Sequence, residues 1–251
     1  LEGIRIIDMG IIWAGPFSTI MLADMGAEVI LVESLQHFNQ TRGNAPYPPP
    51  AAMKSETVGS SYVNHGQGLE RPYNSYATFN YGERNKLSMT LDLTRPKGRE
   101  ILLNLVKISD VFMENNAYGT MPKLGVTYDV LREANPQIIM LAFPGYGNTG
   151  PYRHFKGLGA NVEALVGHTW LRGYPDSDPS TTYSVYHADP AAGATASFAV
   201  LAAIHHRRKT GQGQYIDMSQ AENVIHHLSQ AVMDYSMNQR VAGTLGNRDP
   251  S

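Results

Sequence analysis

Short apolar runs alternate with longer amphipathic stretches in the first part of the chain. Residues 3–10, GIRIIDMG, form a β-branched run that ends in glycine, which predicts a strand. Residues 15–33 predict a helix that Pro16 opens and that ends near Gly26, followed by a second strand. A strand, a helix and a second strand in this order form the repeating unit of a parallel sheet.

The same alternation continues toward the middle of the chain. Helices are predicted over residues 94–110, with Thr94 as N-cap, and over 127–136; strands are predicted over 110–115 and 137–145. The apolar runs of these strands are nearly continuous, as in strands that are buried on both faces. The pattern therefore predicts an α/β fold with a parallel sheet covered by helices on both faces.

After residue 157 the pattern becomes helical. Residues 190–211 are rich in alanine and predict a helix of about six turns that ends in glycine. A short strand is predicted over residues 214–218, QYIDM. Ser219 then opens a further helix with an S-x-x-E capping box that Glu222 completes.

Residues 36–78 interrupt the alternation. They are rich in Pro, Tyr, Asn, Ser and Gly and show no sustained period, which predicts a long irregular excursion that is either functional or disordered. The chain begins at Leu1 inside a strand-like pattern and stops in the turn-rich residues 243–251. We therefore expect it to be a fragment of a longer protein.

Composition narrows the possible partners. The chain has 251 residues, of which 42% are hydrophobic and 17% charged, enough for a real core. Its net charge is −2 and its basic residues are scattered, so nucleic acid is not expected as a partner. No apolar run approaches the roughly 20 residues of a membrane helix, which predicts a soluble, cytoplasmic protein without membrane contact. The absence of cysteine excludes disulfides, thiolate metal sites and a cysteine nucleophile.

Several familiar sites are not supported by the motifs. Gly10 and Gly15 lack the G-x-G-x-x-G spacing, and no G-K-[ST] follows, so we expect neither a nicotinamide, a flavin nor a nucleotide phosphate loop. The histidine pairs 205–206 and 226–227 occupy adjacent helical positions, about 100° apart, which predicts surface or capping residues and no metal. No G-x-S-x-G marks an activated serine.

Asp189 is the acidic residue that carries the most interest, because Pro190 follows it at the start of the alanine-rich helix. An Asp-Pro pair is typical of an N-cap with proline at the first helical position. A carboxylate at a helix start among small residues is also approachable by a ligand. The two interpretations, cap and chemical group, are compatible, and the spacing alone favours the cap.

Six segments, taken together and in order, resemble the family III CoA-transferases (CaiB/BaiF family), a group that also includes α-methylacyl-CoA racemase. The segments are LEGIRIIDMG, AGPFSTIMLADMGAEVILVE, NKLSMTLDL, DVFMENNAYGTMPKLG, ANPQIIMLAFPGYGNTGPY and HADPAAGATASFAVLAAIHHRRKTGQGQYIDMS. They span almost the whole chain and correspond to the first three-fifths of a family member. The resemblance implies an open, mainly parallel, Rossmann-like sheet and an interlocked homodimer in the intact protein.

The resemblance also implies a division into domains. Residues 1–238 would form the large CoA-binding α/β domain, with the irregular excursion inside it. Residues 239–251 would begin a linker toward the family's small domain, which is absent from this chain.

A specific activity follows from the same resemblance. The aspartate at the position of Asp189 is the nucleophile of the transferases, which move CoA from an acyl-CoA thioester to a free carboxylic acid through an aspartyl-CoA thioester. Coenzyme A and its thioesters would be substrates, and amides at the start of the following helix would stabilise oxyanions. Two alternatives stay open: an acyl-CoA racemase or isomerase, and a catalytically silent CoA-binding fragment.

The resemblance also assigns the family's CoA-binding contacts to individual residues of this chain. The family's contacts match Leu91, Asn115, Lys123 and Tyr146, and the main chain of Ile12, Trp13 and Ala14 should pass the pantetheine. Three other contacts are changed, to Ser34, Asn116 and Pro144. Arg42 or Lys86 would then supply the missing charge beside a phosphate. For Lys123 and Arg42, a solvated surface charge is an equal interpretation.

Two departures bear on the substrate. Trp13 stands where formyl-CoA transferase has Gln, which argues against oxalate or formate and favours another acyl group, although a core aromatic is an equal interpretation. Leu158 aligns with the catalytic His of the racemases. Leucine cannot transfer a proton, so racemisation is disfavoured.

Overall fold

The computed structural model describes residues 1–37, 39–43, 71–181 and 185–248. Its centre is a six-stranded sheet in which each strand runs parallel to its neighbours. The strands are β1 (Arg5–Met9), β2 (Glu28–Glu33), β3 (Lys86–Thr90), β4 (Val111–Glu114), β5 (Ile139–Ala142) and β6 (Tyr215–Asp217). Their order, β3-β2-β1-β4-β5-β6, is that of the Rossmann fold, which confirms the predicted open α/β sheet.

Ten α-helices connect or follow these strands in the described residues. They are α1 (Ala14–Asp24), α2 (Ala77–Gly82), α3 (Pro96–Val106), α4 (Thr120–Lys123), α5 (Tyr128–Ala134), α6 (Gly159–Leu165), α7 (His168–Leu171), α8 (Ala188–Thr210), α9 (Gln220–His226) and α10 (Ser229–Asn238). Three 3-10 turns, Gln40–Arg42, Pro72–Asn74 and Pro179–Thr181, lie in the connections. Nearly every predicted helix and strand is present, and most have shorter bounds than predicted.

The sheet is covered on both faces, as its apolar strands require. One core layer packs α1 and α8 against side chains such as Ile6, Val29 and Leu141. The other layer packs α3 and α5 against side chains that include Ile7 and Phe112. β4 and β5 are buried throughout, because they lie in the middle of the sheet between the two layers.

Helices α1 and α8 approach one another closely. A Cβ on Gly193 would lie 2.8 Å from the Phe17 ring and 3.0 Å from the Ala14 carbonyl oxygen. The Ser197 hydroxyl donates a hydrogen bond of 2.8 Å to the backbone oxygen of Ser18. Small residues on α8 therefore bring its first turn beside the first turn of α1, at the carboxyl end of β1.

Three local predictions differ from the structure. The N-cap of α3 is Arg95, and Thr94 instead hydrogen-bonds to Asp92. β3 was not predicted, because an edge strand with exposed residues lacks a continuous apolar run. The helix predicted after Ser219 is interrupted at residues 227–228 and continues as α10.

The predicted excursion over residues 36–78 falls mostly on residues 38 and 44–70, which lie outside the described residues. Its described parts hold two 3-10 turns and the start of α2 at Ala77. At the other end of the chain, α10 ends at Asn238 and residues 239–248 contain neither helix nor strand. The proposed domain boundary stays a prediction.

Candidate active site

The candidate site lies where the strand order reverses, between the carboxyl ends of β1 and β4. In open α/β sheets, ligands bind in the crevice at this point. Asn115, just after β4, accepts a hydrogen bond from the Ile11 N–H at 2.7 Å and donates one to the Ile11 carbonyl at 3.0 Å. These two bonds fix the β1–α1 loop against the end of β4.

Asp189 is brought to this crevice by α8. The helix begins at Ala188 and its N-cap is His187, so Asp189 is the second residue of the helix and not its cap. The cap interpretation from the Asp-Pro spacing is therefore wrong by two positions. The carboxylate is 8% exposed and lines a cleft, which leaves it available for chemistry rather than for capping its own helix.

Two close neighbours hold the Asp189 carboxylate. The backbone N–H of Ala14 donates a hydrogen bond to it. On the other side is Gly159, the first residue of α6, where a Cβ would lie 2.2 Å from Asp189 Oδ2. Only glycine leaves room for the carboxylate at this distance.

The environment of Asp189 raises its pKa to about 6, from an ordinary value of 3.8. Burial is the largest cause, because it penalises the charged form, and the negative charge of Glu163 is the second. The Ala14 N–H lowers the pKa but does not offset these two. A buried carboxylate with a raised pKa in a cleft is typical of a functional group.

A buried ion pair, which was not predicted from the sequence, lies behind Asp189. Glu163 on α6 is fully buried. Its Oε1 accepts a hydrogen bond from the Ala188 N–H at 3.1 Å, and its Oε2 accepts one from Arg172 Nη1 at 2.9 Å. The only sequence signal was a charged residue at an otherwise apolar helical position.

Three histidines form a stack of rings that begins beside this ion pair, where His168 Nδ1 lies 3.8 Å from Glu163 Oε2. The His168 ring stacks on the His187 ring with centroids 5.1 Å apart, and His227 meets His187 edge-on at 4.8 Å. Burial lowers the pKa of His168 and that of His227. The side chains of the pairs 205–206 and 226–227 are exposed, as predicted. Within the described ranges, no group of three or more metal-ligating side chains is placed to hold an ion.

Three neighbouring clefts follow the carboxyl edge of the sheet. The first cleft, of about 350 Å³, is lined by Asp189, Asn115, Ile12, Leu158 and further residues. The second cleft, of about 500 Å³, shares Ile12 with the first and adds Trp13, Tyr76 and Tyr81. The third cleft, of about 190 Å³, shares Ile11 with the first and is lined by Leu91, Ser34 and Asn116. The predicted site residues Ile12, Trp13, Asn115, Leu91 and Asp189 are thus brought into one row of clefts.

The loop between β1 and α1 joins these clefts. Ile12 has a φ of +65°, a left-handed conformation that is uncommon for a β-branched residue and that marks local strain. Trp13, the N-cap of α1, is partly buried, and its ring lies 5.7 Å from that of Tyr186. Trp13 therefore belongs to a cleft wall and not to the core.

Tyr146 and Lys123 lie at the margins of the row of clefts. Tyr146 packs edge-on against Phe155, which lines the first cleft, and burial raises the pKa of the Tyr146 hydroxyl. Lys123 is exposed at the end of α4, a helix whose first residue, Thr120, lines the third cleft. Pro144, the changed family position, lines the first cleft.

The two cations expected to replace phosphate contacts are already engaged. Arg42 is buried in a bidentate ion pair with Glu33, with both N–O distances 2.6 Å, and its Nη1 donates to Asn74. Its guanidinium also lies 3.7 Å from the centre of the Phe79 ring. Lys86 Nζ is buried between Asp8 and Glu83 and pairs with both carboxylates. This geometry argues against a phosphate role for either residue.

The sequence model of CoA-transferase family III matches residues 1–251. The chain is 35% identical to the succinyl-CoA–L-malate CoA-transferase beta subunit of Chloroflexus aurantiacus, covering 96% of this chain and 54% of that protein. It is 34% identical to the succinate–glutarate CoA-transferase of Agrobacterium fabrum, covering 100% of this chain and 58% of that protein. The crystal structure of a CAIB/BAIF family protein from Brucella suis superposes with a TM-score of 0.84 at 32% identity, covering 99% of this chain and 60% of that chain.

The chain therefore spans a little more than half the length of the curated relatives it matches. In the described parts of the chain, no helix is both long enough and apolar enough to cross a membrane.

Proposed function

The chain belongs to CoA-transferase family III, and we propose that it forms the part of a CoA-transferase that carries the nucleophile, Asp189. The reaction is the transfer of CoA from an acyl-CoA thioester to a free carboxylic acid. The observation that carries this proposal is the position of the Asp189 carboxylate. It is buried next to Gly159, where the strand order of the sheet reverses, and it faces a cleft.

The proposed chemistry needs no proton transfer to or from Asp189. The carboxylate attacks the acyl carbonyl, the carbon–sulfur bond breaks, and CoA leaves as a thiolate, so that a mixed anhydride of Asp189 and the acyl group remains. The thiolate then attacks the aspartyl carbonyl and releases the first acid as a carboxylate, which leaves an aspartyl-CoA thioester. The acceptor carboxylate repeats both steps in reverse order, so the thioester is conserved and no ATP is consumed.

The geometry revises the expected oxyanion donors. In the first turn of α8, the Ala188 N–H is bound by Glu163, Pro190 has no N–H, and the Ala191 N–H is bound by the His187 carbonyl. The start of α8 is thus mostly occupied and is a poor oxyanion site. The Ala14 N–H, which already contacts Asp189, supports the carboxylate side of the reaction instead.

Coenzyme A is proposed to follow the row of clefts. The pantetheine would pass the main chain of Ile12, Trp13 and Ala14 and reach Asp189 in the first cleft, where Asn115 also lies. The nucleotide end would occupy the third cleft, beside Leu91, with Lys123 at its margin and Tyr146 behind the thioester end. Donor and acceptor would be an acyl-CoA and a small carboxylic acid, and the interlocked homodimer remains part of the proposal.

Trapping the intermediate tests the proposal. The full-length protein is incubated with succinyl-CoA, quenched with hydroxylamine, digested and analysed by mass spectrometry. An aspartyl hydroxamate at Asp189, absent without succinyl-CoA and absent in Asp189→Asn, is the expected result. An active enzyme with unmodified Asp189 would exclude the covalent route. If a racemase is present instead, solvent deuterium enters the α-carbon of a 2-methylacyl-CoA without CoA exchange.

The racemase alternative lacks a proton carrier at the position that the family resemblance singles out. Leu158 lines the first cleft with Asp189, and its side chain cannot act as acid or base. The remaining alternative, a silent CoA-binding fragment, predicts that CoA raises the melting temperature of the isolated chain without any acyl exchange.

A further inference from the structure

Helix α6 carries two residues that face the start of α8. Gly159 is the residue against which the Asp189 carboxylate lies, and Glu163 follows four positions later. Residues four apart occupy the same face of a helix, one turn from each other. One face of α6 therefore meets both the carboxylate of Asp189 and the backbone of the residue before it.

Glu163 provides the capping bond that α8 lacks. The N-cap residue of α8, His187, makes no side-chain hydrogen bond to the helix. Glu163 Oε1 instead accepts the Ala188 N–H at 3.1 Å, which satisfies one of the donors that a helix start leaves open. The other oxygen, Oε2, is held by Arg172 Nη1 at 2.9 Å.

We propose that Glu163 is a positioning residue for acyl transfer: it fixes the first turn of α8 so that Asp189 faces the cleft, and its negative charge disfavours the Asp189 carboxylate relative to the uncharged acyl-aspartate. The inference rests on the proposed function. Acylation removes the charge of Asp189, so a neighbouring carboxylate that repels this charge favours the acylated state. Arg172 moderates the effect, because it pairs with Glu163 and not with Asp189.

Several other charged or titratable groups lie near Glu163 or Asp189. His168 on α7 has its Nδ1 3.8 Å from Glu163 Oε2, buried and without a hydrogen bond among the described residues. His187 and His227 follow in the stack of rings, and Lys156 lines the first cleft with Asp189. The raised pKa of Asp189, for which Glu163 is the second cause after burial, agrees with the proposed repulsion.

Two substitutions break the same ion pair but act on Asp189 in opposite directions. Glu163→Gln removes the repelling charge and should move the titration of the Asp189 carboxyl to lower pH. Arg172→Gln leaves Glu163 uncompensated and should move the titration to higher pH. A purely structural role for the pair would give both variants the same direction, because both lose the same contact.

The readout is the titration of the Asp189 side-chain carbon in protein labelled with ¹³C-aspartate, assigned by its absence in Asp189→Asn. This measurement does not depend on activity. The second readout is the rate of aspartyl hydroxamate formation from succinyl-CoA, which should fall about tenfold to a hundredfold in Glu163→Gln, as for a displaced catalytic group. Glu163→Asp, which keeps the charge, should keep the titration midpoint near that of the wild type.

The outcomes separate the two proposals. Opposite shifts in the two variants, with slower acylation in Glu163→Gln, support the positioning role. Unchanged midpoints in both folded variants, or shifts in the same direction, overturn it even if Asp189 is the nucleophile. Full transfer activity in Asp189→Asn overturns the proposed function, and with it the assignment of Glu163 to this reaction, whatever the titration shows.

Discussion

Gly159 and Asp189 are in such close contact that a methyl group on Gly159 would lie 2.2 Å from the carboxylate oxygen Oδ2. This distance is shorter than any ordinary contact, so the carboxylate could not keep its place beside a larger residue. The first residue of α6 therefore has to be glycine because of the Asp189 carboxylate and not because of its own backbone, whose φ is not in the left-handed region.

Gly159→Ala should abolish most of the activity without unfolding the protein. The added methyl displaces the carboxylate by about 1 Å or more, and a misplacement of this size costs about a hundredfold in rate. Hydroxamate formation at Asp189 measures the loss. Gly243→Ala is the matched control, since a Cβ at that exposed position meets no atom within 4 Å. Equal activity in the two variants would show that Asp189 does not depend on this contact.

Acylation of Asp189 should depend on pH with a midpoint near 6. The raised pKa, about 6, means that the carboxylate is protonated below this pH and cannot attack a carbonyl. The single-turnover rate with succinyl-CoA should therefore fall about tenfold for each pH unit below the midpoint. A rate that stays constant down to pH 4.5 would show that burial does not raise the pKa of Asp189.

The sequence predicted the parts of the fold that depend on local pattern. The buried strands β4 and β5 are mainly apolar, β1 contains a pair of adjacent isoleucines, and α8 ends at a glycine in the left-handed conformation. These elements could therefore be predicted from the sequence. β3 was missed, because this edge strand has no buried residue and no continuous apolar run. Asp189 was singled out only through the ordered family resemblance, since its spacing indicated a cap.

Tertiary contacts decided the rest of the site. Nothing in the sequence around Arg42 distinguishes it from a surface cation. In the structure it is buried, pairs with Glu33 and packs on the Phe79 ring. Glu163 could not be recognised, because its partners Ala188 and Arg172 are brought to it by the packing of α6, α7 and α8. These charged residues acquire their roles from partners that lie on other elements of the fold, which periodicity along one element does not reveal.

Arg42 and Lys123 should respond differently to removal of their charge. Arg42→Gln breaks a buried bidentate pair and should lower the free energy of unfolding by about 3 kcal/mol. Lys123→Gln should leave stability unchanged and raise the KM for succinyl-CoA about twofold to fivefold, an effect that high salt removes. The opposite assignment, with Arg42 controlling KM and Lys123 stability, would restore Arg42 as the phosphate contact.

Lys86 should be essential for stability and not for CoA binding. Its Nζ lies 3.0 Å from Asp8 Oδ2 and 2.6 Å from Glu83 Oε2, and all three side chains are buried. Lys86→Met leaves two buried carboxylates without their cation and should cost about 3–5 kcal/mol in urea unfolding at pH 8. Burial raises the pKa of Glu83 to about 7, so the cost should shrink at pH 5, where Glu83 is neutral.

Lys97→Met is the matched control for this experiment. Lys97 forms an ion pair with Glu100 on the exposed side of α3, with an N–O distance of 2.7 Å. An exposed pair of this kind contributes less than about 1 kcal/mol. If Lys86→Met and Lys97→Met lower the free energy of unfolding equally, the buried ion pairs of Lys86 contribute no more to stability than a surface pair.

Asp189→Asn should make the protein more stable near neutral pH while removing its activity. The folded pKa of about 6 lies above the ordinary value of 3.8, so the folded state binds the proton more tightly than the unfolded chain. Stability therefore falls as pH rises from about 4 to about 6, and at pH 7.5 the charged carboxylate costs the native state about 1–3 kcal/mol. Asparagine keeps the shape and an acceptor for the Ala14 N–H but has no charge.

Urea unfolding at pH 7.5 and at pH 4 measures this effect. Asp189→Asn should gain about 1–3 kcal/mol at pH 7.5 and nothing at pH 4, where aspartate is protonated in the folded protein. Asp176→Asn, at an exposed position, should stay within about 0.5 kcal/mol of the wild type at both values. A gain at pH 7.5 shows that the fold gives up stability to keep a carboxylate in this cleft, as functional sites commonly do. The absence of any gain would mean that Asp189 is solvated well enough to ionise normally, which would remove the electrostatic argument for its reactivity.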